Sequence, residues 1–456
     1  MADKQSASSG LKVGFKEQLG YMGGGVGMQI ANKTVSQYLL VFFTNCLLLN
    51  PAAAGAVFMW GRIVDAFTDI FMANISDKTQ TRWGSYRPYM IFGTIPLALT
   101  FIFCFFCPSF VQENGKTLVW AYVMYFLEAS VFNTMCGMNY GALSSANTDS
   151  PQGRSKLASA RNIGENIATL IIGAGCMSIV VKYGGPGSPV GWLRMALLFA
   201  GIIVIGYFLC IALVKERVEI VPKAEKKLPL KTRLRTLKGN KPFLGIVLSI
   251  AFLMFVAVFG GTFFAYYCMY NLGHAEWIAP LVTVSGVVGI VGALLLVPLT
   301  KRIEKRQVLA LGSAMWLVGS LLLVAIGGFT GAIIYQAITG FGQALAMSSI
   351  WAAIPDMCDY GAWKNNVSSP GIVYSICMFV LKVVSGFATY GCGAILALTG
   401  FDAALGLNQL SSVVSGISFS IAVVPAICSV IVILCSLLMK DVDRDKMAKY
   451  HAAKDN

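Results

Sequence analysis

Charge is scarce in this sequence. Only 12% of its 456 residues are Asp, Glu, Lys or Arg, against about 25% in an ordinary soluble domain. Histidine is scarcer still. His274 and His451 are the only two, and both stand outside the apolar stretches, which argues against a histidine proton relay or a zinc site. Cysteine is present but unpatterned: twelve are scattered singly. The one C-x-x-C spacing, Cys104 and Cys107, has two Phe between the thiols. These cysteines are expected to be small apolar helix residues. The first 18 residues lack the apolar centre of a signal peptide, so no cleaved leader is expected. There is no H-E-x-x-H, no paired Ser and His and no metal-ligand cluster. No polar, filter-like loop interrupts an apolar stretch. A membrane-embedded enzyme and a channel are therefore both disfavoured.

What fills the chain is apolar. Hydrophobic residues make up 56%, mean hydropathy is +0.70, and there are 47 glycines. A water-facing globule of this length could not hide that much apolar surface, whereas lipid removes the problem. Gly is also more frequent in membrane helices than in soluble ones. At about 20 apolar residues per crossing, the sequence predicts twelve spans, near 21–48, 52–76, 89–108, 117–142, 158–182, 192–214, 243–271, 277–299, 307–328, 331–354, 369–399 and 412–439.

Loop charge sets the expected orientation. The segments after spans 2, 4, 6, 8 and 10 all carry Lys or Arg, among them Lys78, Arg82 and Arg87, then Arg154 and Lys156, then Lys301, Arg302, Lys305 and Arg306. Residues 215–242 hold ten Lys or Arg against three Glu. The alternate loops are nearly uncharged. Cytoplasmic loops collect Lys and Arg, so both termini are expected in the cytoplasm. The net charge of +14 then reads as topology and contact with anionic lipid head groups, not as a nucleic-acid surface, because the basic residues are spread over separate loops. The basic segment also divides the chain. The expected domains are an N-terminal six-helix bundle over 1–214, a linker over 215–242, a C-terminal six-helix bundle over 243–439 and a cytoplasmic tail over 440–456. Two such bundles suit alternating access to a midplane site.

The few ionisable residues inside spans are each informative, because they are costly there. Asp65 and Asp69 are four residues apart and share a helix face. Two close carboxylates repel unless a proton or cation lies between them. A hard monovalent cation or H⁺ fits carboxylate and hydroxyl oxygens; the alternative is that each acid pairs with a neighbouring Arg or Lys. Lys382 lies deep in span 11 and needs a partner on another helix. Arg161 and Glu165 are placed to satisfy each other, or Arg161 faces a cavity. Glu128 reads as a local structural acid. Lys33 interrupts span 1; it either snorkels to an interface, pairs with Glu128 or an acid of span 2, or serves a solute.

Longer motifs accompany these residues. Gly61-Arg62-Ile63-Val64-Asp65-Ala66-Phe67-Thr68-Asp69 is followed by Thr81-Arg82-Trp83-Gly84-Ser85-Tyr86-Arg87-Pro88-Tyr89. Asn139-Tyr140-Gly141-Ala142-Leu143 precedes Arg154-Ser155-Lys156-Leu157-Ala158-Ser159-Ala160-Arg161. Pro355-Asp356-Met357-Cys358-Asp359-Tyr360-Gly361-Ala362-Trp363-Lys364 closes span 10. Over nearly its whole length the chain resembles the glycoside–pentoside–hexuronide:cation symporters of the major facilitator superfamily, the group of the melibiose and glucuronide carriers. The resemblance implies an all-α integral membrane protein with the major facilitator fold, in a cell membrane, expected to be the bacterial inner membrane. It implies cation-coupled symport of a glycoside-like solute by alternating access, with Na⁺, Li⁺ or H⁺ as coupling ion and no organic cofactor.

By the same resemblance, the cation site falls on Asp65, Asp69, Thr68 and Thr134, and the span-5 Arg and span-11 Lys fall on Arg161 and Lys382. Departures are equally clear. The acid that binds sugar in span 1 of the melibiose carrier is replaced by Gln29. Its second sugar acid and its stacking aromatic fall on Gly137 and Gly141. A galactoside grip is therefore not expected. Lys33 adds positive charge one turn from Gln29, so an anionic solute near Gln29, Lys33, Arg161 and Lys382 is the expectation, with a neutral glycoside or a non-sugar amphipathic anion as the alternatives.

The orientation is directly testable. A reporter fused at residue 230 should read cytoplasmic, and reporters within 109–116 and 272–276 should read external. An external reading at 230 would overturn both the topology and the six-plus-six division.

Overall fold

A computed structural model of the chain describes residues 13–148, 150–217, 234–365 and 370–442. The long helices are α1 (Phe15–Asn45), α2 (Pro51–Lys78), α3 (Arg87–Cys104), α4 (Thr117–Tyr125), α5 (Thr134–Asn147), α6 (Pro151–Lys182), α7 (Pro189–Leu213), α8 (Lys241–Tyr266), α9 (Ile278–Arg302), α10 (Lys305–Ile326), α11 (Gly328–Asn365), α12 (Pro370–Thr399) and α13 (Ser411–Leu437). A π-helical stretch, Phe126–Asn133, joins α4 to α5, and a second, Tyr267–Asn271, ends α8. Each of the twelve predicted spans is thus helical, as lipid requires: a bilayer offers no water to the backbone, and a helix satisfies its own N–H and C=O groups.

Among the described residues, nine helices are long and apolar enough to cross a membrane. The other predicted spans explain themselves. The fourth is broken by the π stretch into three short pieces. α1 and α2 carry glycines, amides and charges that lower their hydropathy. Outward-facing apolar side chains are abundant: Phe71 is 68% exposed, Leu294 71% and Leu398 86%. In water such a belt would aggregate; against lipid tails it is the expected surface. The cysteines follow the sequence reading, with eleven of twelve buried and all of them free thiols.

Helix starts are fixed by specific contacts. α3 opens with Arg87-Pro88, a proline where no amide hydrogen is needed. Its exposed N–H groups are met by Glu216, from beyond α7. The carboxylate accepts from Ser85 N at 2.7 Å and from Tyr86 N and Arg87 N at 2.8 Å each, a favourable place for negative charge. Gly84 precedes this cap at φ +107°, a left-handed conformation that suits glycine, and a Cβ there would run into the Glu216 carboxylate. This accounts for the glycine of the Arg82-Trp83-Gly84 motif. α10 begins with a reciprocal capping box between Glu304 and Gln307, and Asn240 caps α8 by accepting from Phe243 N at 2.9 Å.

By proximity the chain forms two compact units. One comprises the described parts of residues 1–35, 64–172 and 188–223; the other comprises those of 36–63, 173–187 and 224–456. In the first, Phe105 stacks on Trp192 with ring centroids 5.7 Å apart. In the second, Ile246, Ile250, Leu253, Ile350, Ile354 and Val432 form a continuous core. The end of α1 belongs to this second unit, where Thr44 Oγ1 and Tyr266 OH lie 2.7 Å apart. Most of the basic linker and nearly all of the tail, residues 218–233 and 443–456, lie outside the described residues.

Close helix contacts rest on small residues. A Cβ on Gly342 of α11 would stand 2.6 Å from the Gly312 carbonyl of α10 and 2.8 Å from Met315 Cβ. Gly342→Ala should therefore destabilise the purified protein by about 1–3 kcal/mol through overpacking, read as a lower melting temperature. An unchanged melt would show that α10 and α11 do not meet there.

Candidate functional site

The first unit brings the two acids of α2 to one hydroxyl. Asp65 is 2% exposed, and Asp69, one turn on, is partly buried. Thr134, 5% exposed at the start of α5, places its Oγ1 2.8 Å from Asp65 Oδ1 and 3.2 Å from Asp69 Oδ1. One hydroxyl hydrogen can serve only one carboxylate at a time. Three oxygens, two of them from carboxylates, therefore converge in a largely dry place, an arrangement of the kind that suits a proton or a hard cation. Thr68 does not join them through its hydrogen: its hydroxyl donates to the Asp65 carbonyl at 3.1 Å along α2.

The π stretch sets the position of Thr134. An extra residue in a turn rotates everything after it relative to a continuous α-helix, and such bulges collect at functional sites. Thr134 Oγ1 also lies 3.4 Å from the carbonyl of Ala129, five residues back. Glu128, within the same stretch, is 1% exposed.

A second group surrounds α1. Lys33 Nζ donates to Thr169 Oγ1 of α6 at 3.2 Å. One turn before Thr169, Glu165 accepts from Arg161 Nε at 2.6 Å, the mutual satisfaction that their spacing allowed. Arg161 also lies 5.8 Å from the Tyr140 ring centroid, close enough for a cation–π contact. Tyr140 stacks on Tyr21 at 4.5 Å. Each of these tyrosines donates to the other's carbonyl, at 2.6 Å and 3.1 Å. Glu165 thus matches Arg161, so one of the three expected cations is paired with an acid on its own helix.

The departures from the melibiose-type grip sit beside open space. A Cβ on Gly141 would meet nothing within 4 Å; on Gly137 it would meet only Asn133 Oδ1 at 3.8 Å and Met28 Sδ at 3.9 Å. Gln29 is partly exposed on α1. Lys382 is partly buried on α12, in the other compact unit. The two clearest cavities, each about 260 Å³, lie elsewhere, one beside Thr44, Asn50 and Asp402 and one beside Phe15, Met22 and Lys156.

Two residues of this region were not singled out from the sequence. Asn32 and Asn133 join side chain to side chain, with Asn133 Nδ2 donating to Asn32 Oδ1 at 2.8 Å and Asn32 Nδ2 donating back at 3.3 Å. Their only sequence signal is adjacency, Asn32 to Lys33 and Asn133 to Thr134.

Comparison with known proteins agrees with this architecture. The profile of MFS/sugar transport proteins matches residues 20–440. The isoprimeverose transporter of Lactiplantibacillus pentosus is 31% identical over 86% of this chain and 82% of its own length. The glucuronide carrier protein homolog of Escherichia coli strain K12 is 29% identical over 91% of this chain and 90% of its own. Among solved structures, a D-xylose–proton symporter superposes with a TM-score of 0.64 at 15% identity, covering 94% of this chain and 97% of that one; at that identity the likeness establishes the fold.

Proposed function

From the premise that the chain belongs to the MFS/sugar transport protein family, we propose that it carries a glycoside-like solute across the membrane in symport with Na⁺, Li⁺ or H⁺, by alternating access. It is a transporter, not an enzyme. The observation that carries the coupled reading is the convergence of Asp65, Asp69 and Thr134 oxygens on one buried point. Empty, the pair is repulsive; a coupling ion neutralises it, and that difference in energy is what a symporter needs to link cation entry to a change of state. Thr68 stands by as a neighbour of Asp65, as the family resemblance implies. Localisation in a bacterial inner membrane, with both termini cytoplasmic and the basic loops against anionic lipid, completes the proposal.

Coupling is tested by uptake. Solute accumulation should saturate and collapse with the cation gradient, whereas a channel would not concentrate the solute and an enzyme would alter it. Asp65→Asn or Asp69→Asn should abolish accumulation while insertion and folding persist. Thr134→Val should weaken the cation by about tenfold or more, the size of a hydrogen bond to a charged group of about 1.5–3 kcal/mol; Thr134→Ser should retain it. Accumulation at the parent level in either Asn variant refutes the cation site.

The solute is proposed to carry an anionic group. Lys33 lies on α1, the helix whose Met28 borders the space at Gly137, and Gln29 and Gly137 remove the acids that a galactoside grip would use. Arg161 contributes through Tyr140 and Glu165 less as a bare charge than as a shaped wall, and Lys382 is included as the resemblance implies. A glucuronide-type relative shows that such chemistry suits the family. Lys33→Gln should reduce uptake of para-nitrophenyl glucuronide about tenfold, one charge-assisted contact, and that of para-nitrophenyl glucoside far less. Equal losses, or a parent preference for the glucoside, would sink the anionic reading and favour a neutral glycoside.

A further inference from the structure

The amide pair between α1 and the π stretch has a place in the molecule that structural glue alone does not require. Asn133 is 7% exposed, is the last residue of the π stretch and is bonded in sequence to Thr134. Its Nδ2 donates to Asn32 Oδ1 at 2.8 Å, and Asn32 Nδ2 donates to Asn133 Oδ1 at 3.3 Å and to the Met28 carbonyl at 3.0 Å. The pair is therefore closed in both directions and tied into the α1 backbone one turn earlier. Asn133 Oδ1 and Met28 Sδ are also the atoms nearest the space beside Gly137. Gln29 and Asn32 lie three residues apart on α1, and Lys33 follows directly. Asn133 thus stands between the cation hydroxyl on one side and the solute-facing part of α1 on the other.

We propose that the Asn32–Asn133 pair is a positioning device that transmits occupancy of the Asp65, Asp69 and Thr134 site to the solute-facing turn of α1. The inference rests on the cation reading of that site. Its chemistry follows from the hydroxyl. Thr134 Oγ1 donates to a carboxylate, at 2.8 Å or 3.2 Å. A cation held between the carboxylate oxygens and this hydroxyl takes the place the hydrogen points into and is met by a lone pair of the same oxygen, so the hydrogen turns away, and the Ala129 carbonyl lies 3.4 Å away. Ala129 is part of the π stretch. A tighter bond from Thr134 to Ala129 pulls on a segment that already departs from α-helical register, and Asn133 lies inside the loop that this bond closes. Buried amide bonds are costly to leave unmade, so Asn32 follows Asn133 and carries the Met28–Lys33 turn with it. Emptying the site reverses each step.

The test is hydrogen–deuterium exchange, read peptide by peptide on the purified full-length protein in lipid nanodiscs, with Na⁺, Li⁺, choline as the inert control, or lowered pH. In the parent, the coupling cation should slow exchange both in the α2 peptide holding Asp65 and Asp69 and in the α1 peptide holding Met28 to Lys33. In Asn133→Leu, which keeps the branching at Cγ but not the amide, the α2 slowing should persist and the α1 slowing should be lost. Asn32→Ala, at a partly exposed position, should do the same, and it serves if Asn133→Leu misfolds. The double variant should match the single ones, because one link is cut in each. A structural role alone would raise exchange with and without cation alike. An α1 response undiminished in either variant, or missing in a parent whose α2 responds, overturns the proposal. A parent in which no cation alters α2 refutes the cation reading itself, and the coupling with it.

Discussion

A carboxylate inside a bilayer is held only where the protein replaces the water it has lost, and α2 carries two of them a single turn apart. Both reach the same threonine hydroxyl. That shared oxygen is the point on which the first unit is organised. It demands that α5 present Thr134 toward α2, that the helix be adjusted just ahead of it, and that α1 and α6 close around what remains. Under the proposed coupling, a cation bound between these oxygens would favour one arrangement of the helices over another, which is how a ligand shifts an equilibrium between states.

The surrounding helices achieve this with local exceptions to regular structure rather than with additional charge. The π stretch Phe126–Asn133 alters the facing of α5. Glu216 reaches back from beyond α7 to satisfy three amide groups at the start of α3, and the same carboxylate leaves no room for a side chain at Gly84. Tyr21 and Tyr140 exchange hydrogen bonds with each other's backbone, locking α1 to α5. Where a galactoside carrier would place an acid and an aromatic ring, this chain has two glycines beside open space. The positive groups around that space are fewer than a count of residues suggests, because Arg161 is matched by Glu165 at 2.6 Å. Lys33 donates to the Thr169 hydroxyl of α6, and the proposed solute selectivity is tested there.

Much of this was legible in the sequence, and for physical reasons. Apolar runs of membrane length can be little else than helices, because lipid leaves the backbone no other partner, so twelve spans could be marked, each on helical residues, although the helix of the tenth runs to Asn365, past the apolar stretch that marked it. Asp65 and Asp69 were conspicuous because charge is rare in spans, and their spacing by one turn is enough to put them on one helix face. The Arg161–Glu165 pair was likewise open to a local reading, since both partners lie on one helix. What tertiary structure alone decided was every relation across helices. The π stretch has no clear mark in Phe126–Asn133, so resemblance alone could aim Thr134 at the two acids; no local pattern could. The Asn32–Asn133 bond joins residues a hundred apart, and nothing local distinguishes those amides from Asn139 or Asn147. The grouping of residues 36–63 and 173–187 with the C-terminal helices by proximity had no mark in loop charge, because charge in loops records only the side of the membrane, whereas packing depends on which helix faces meet.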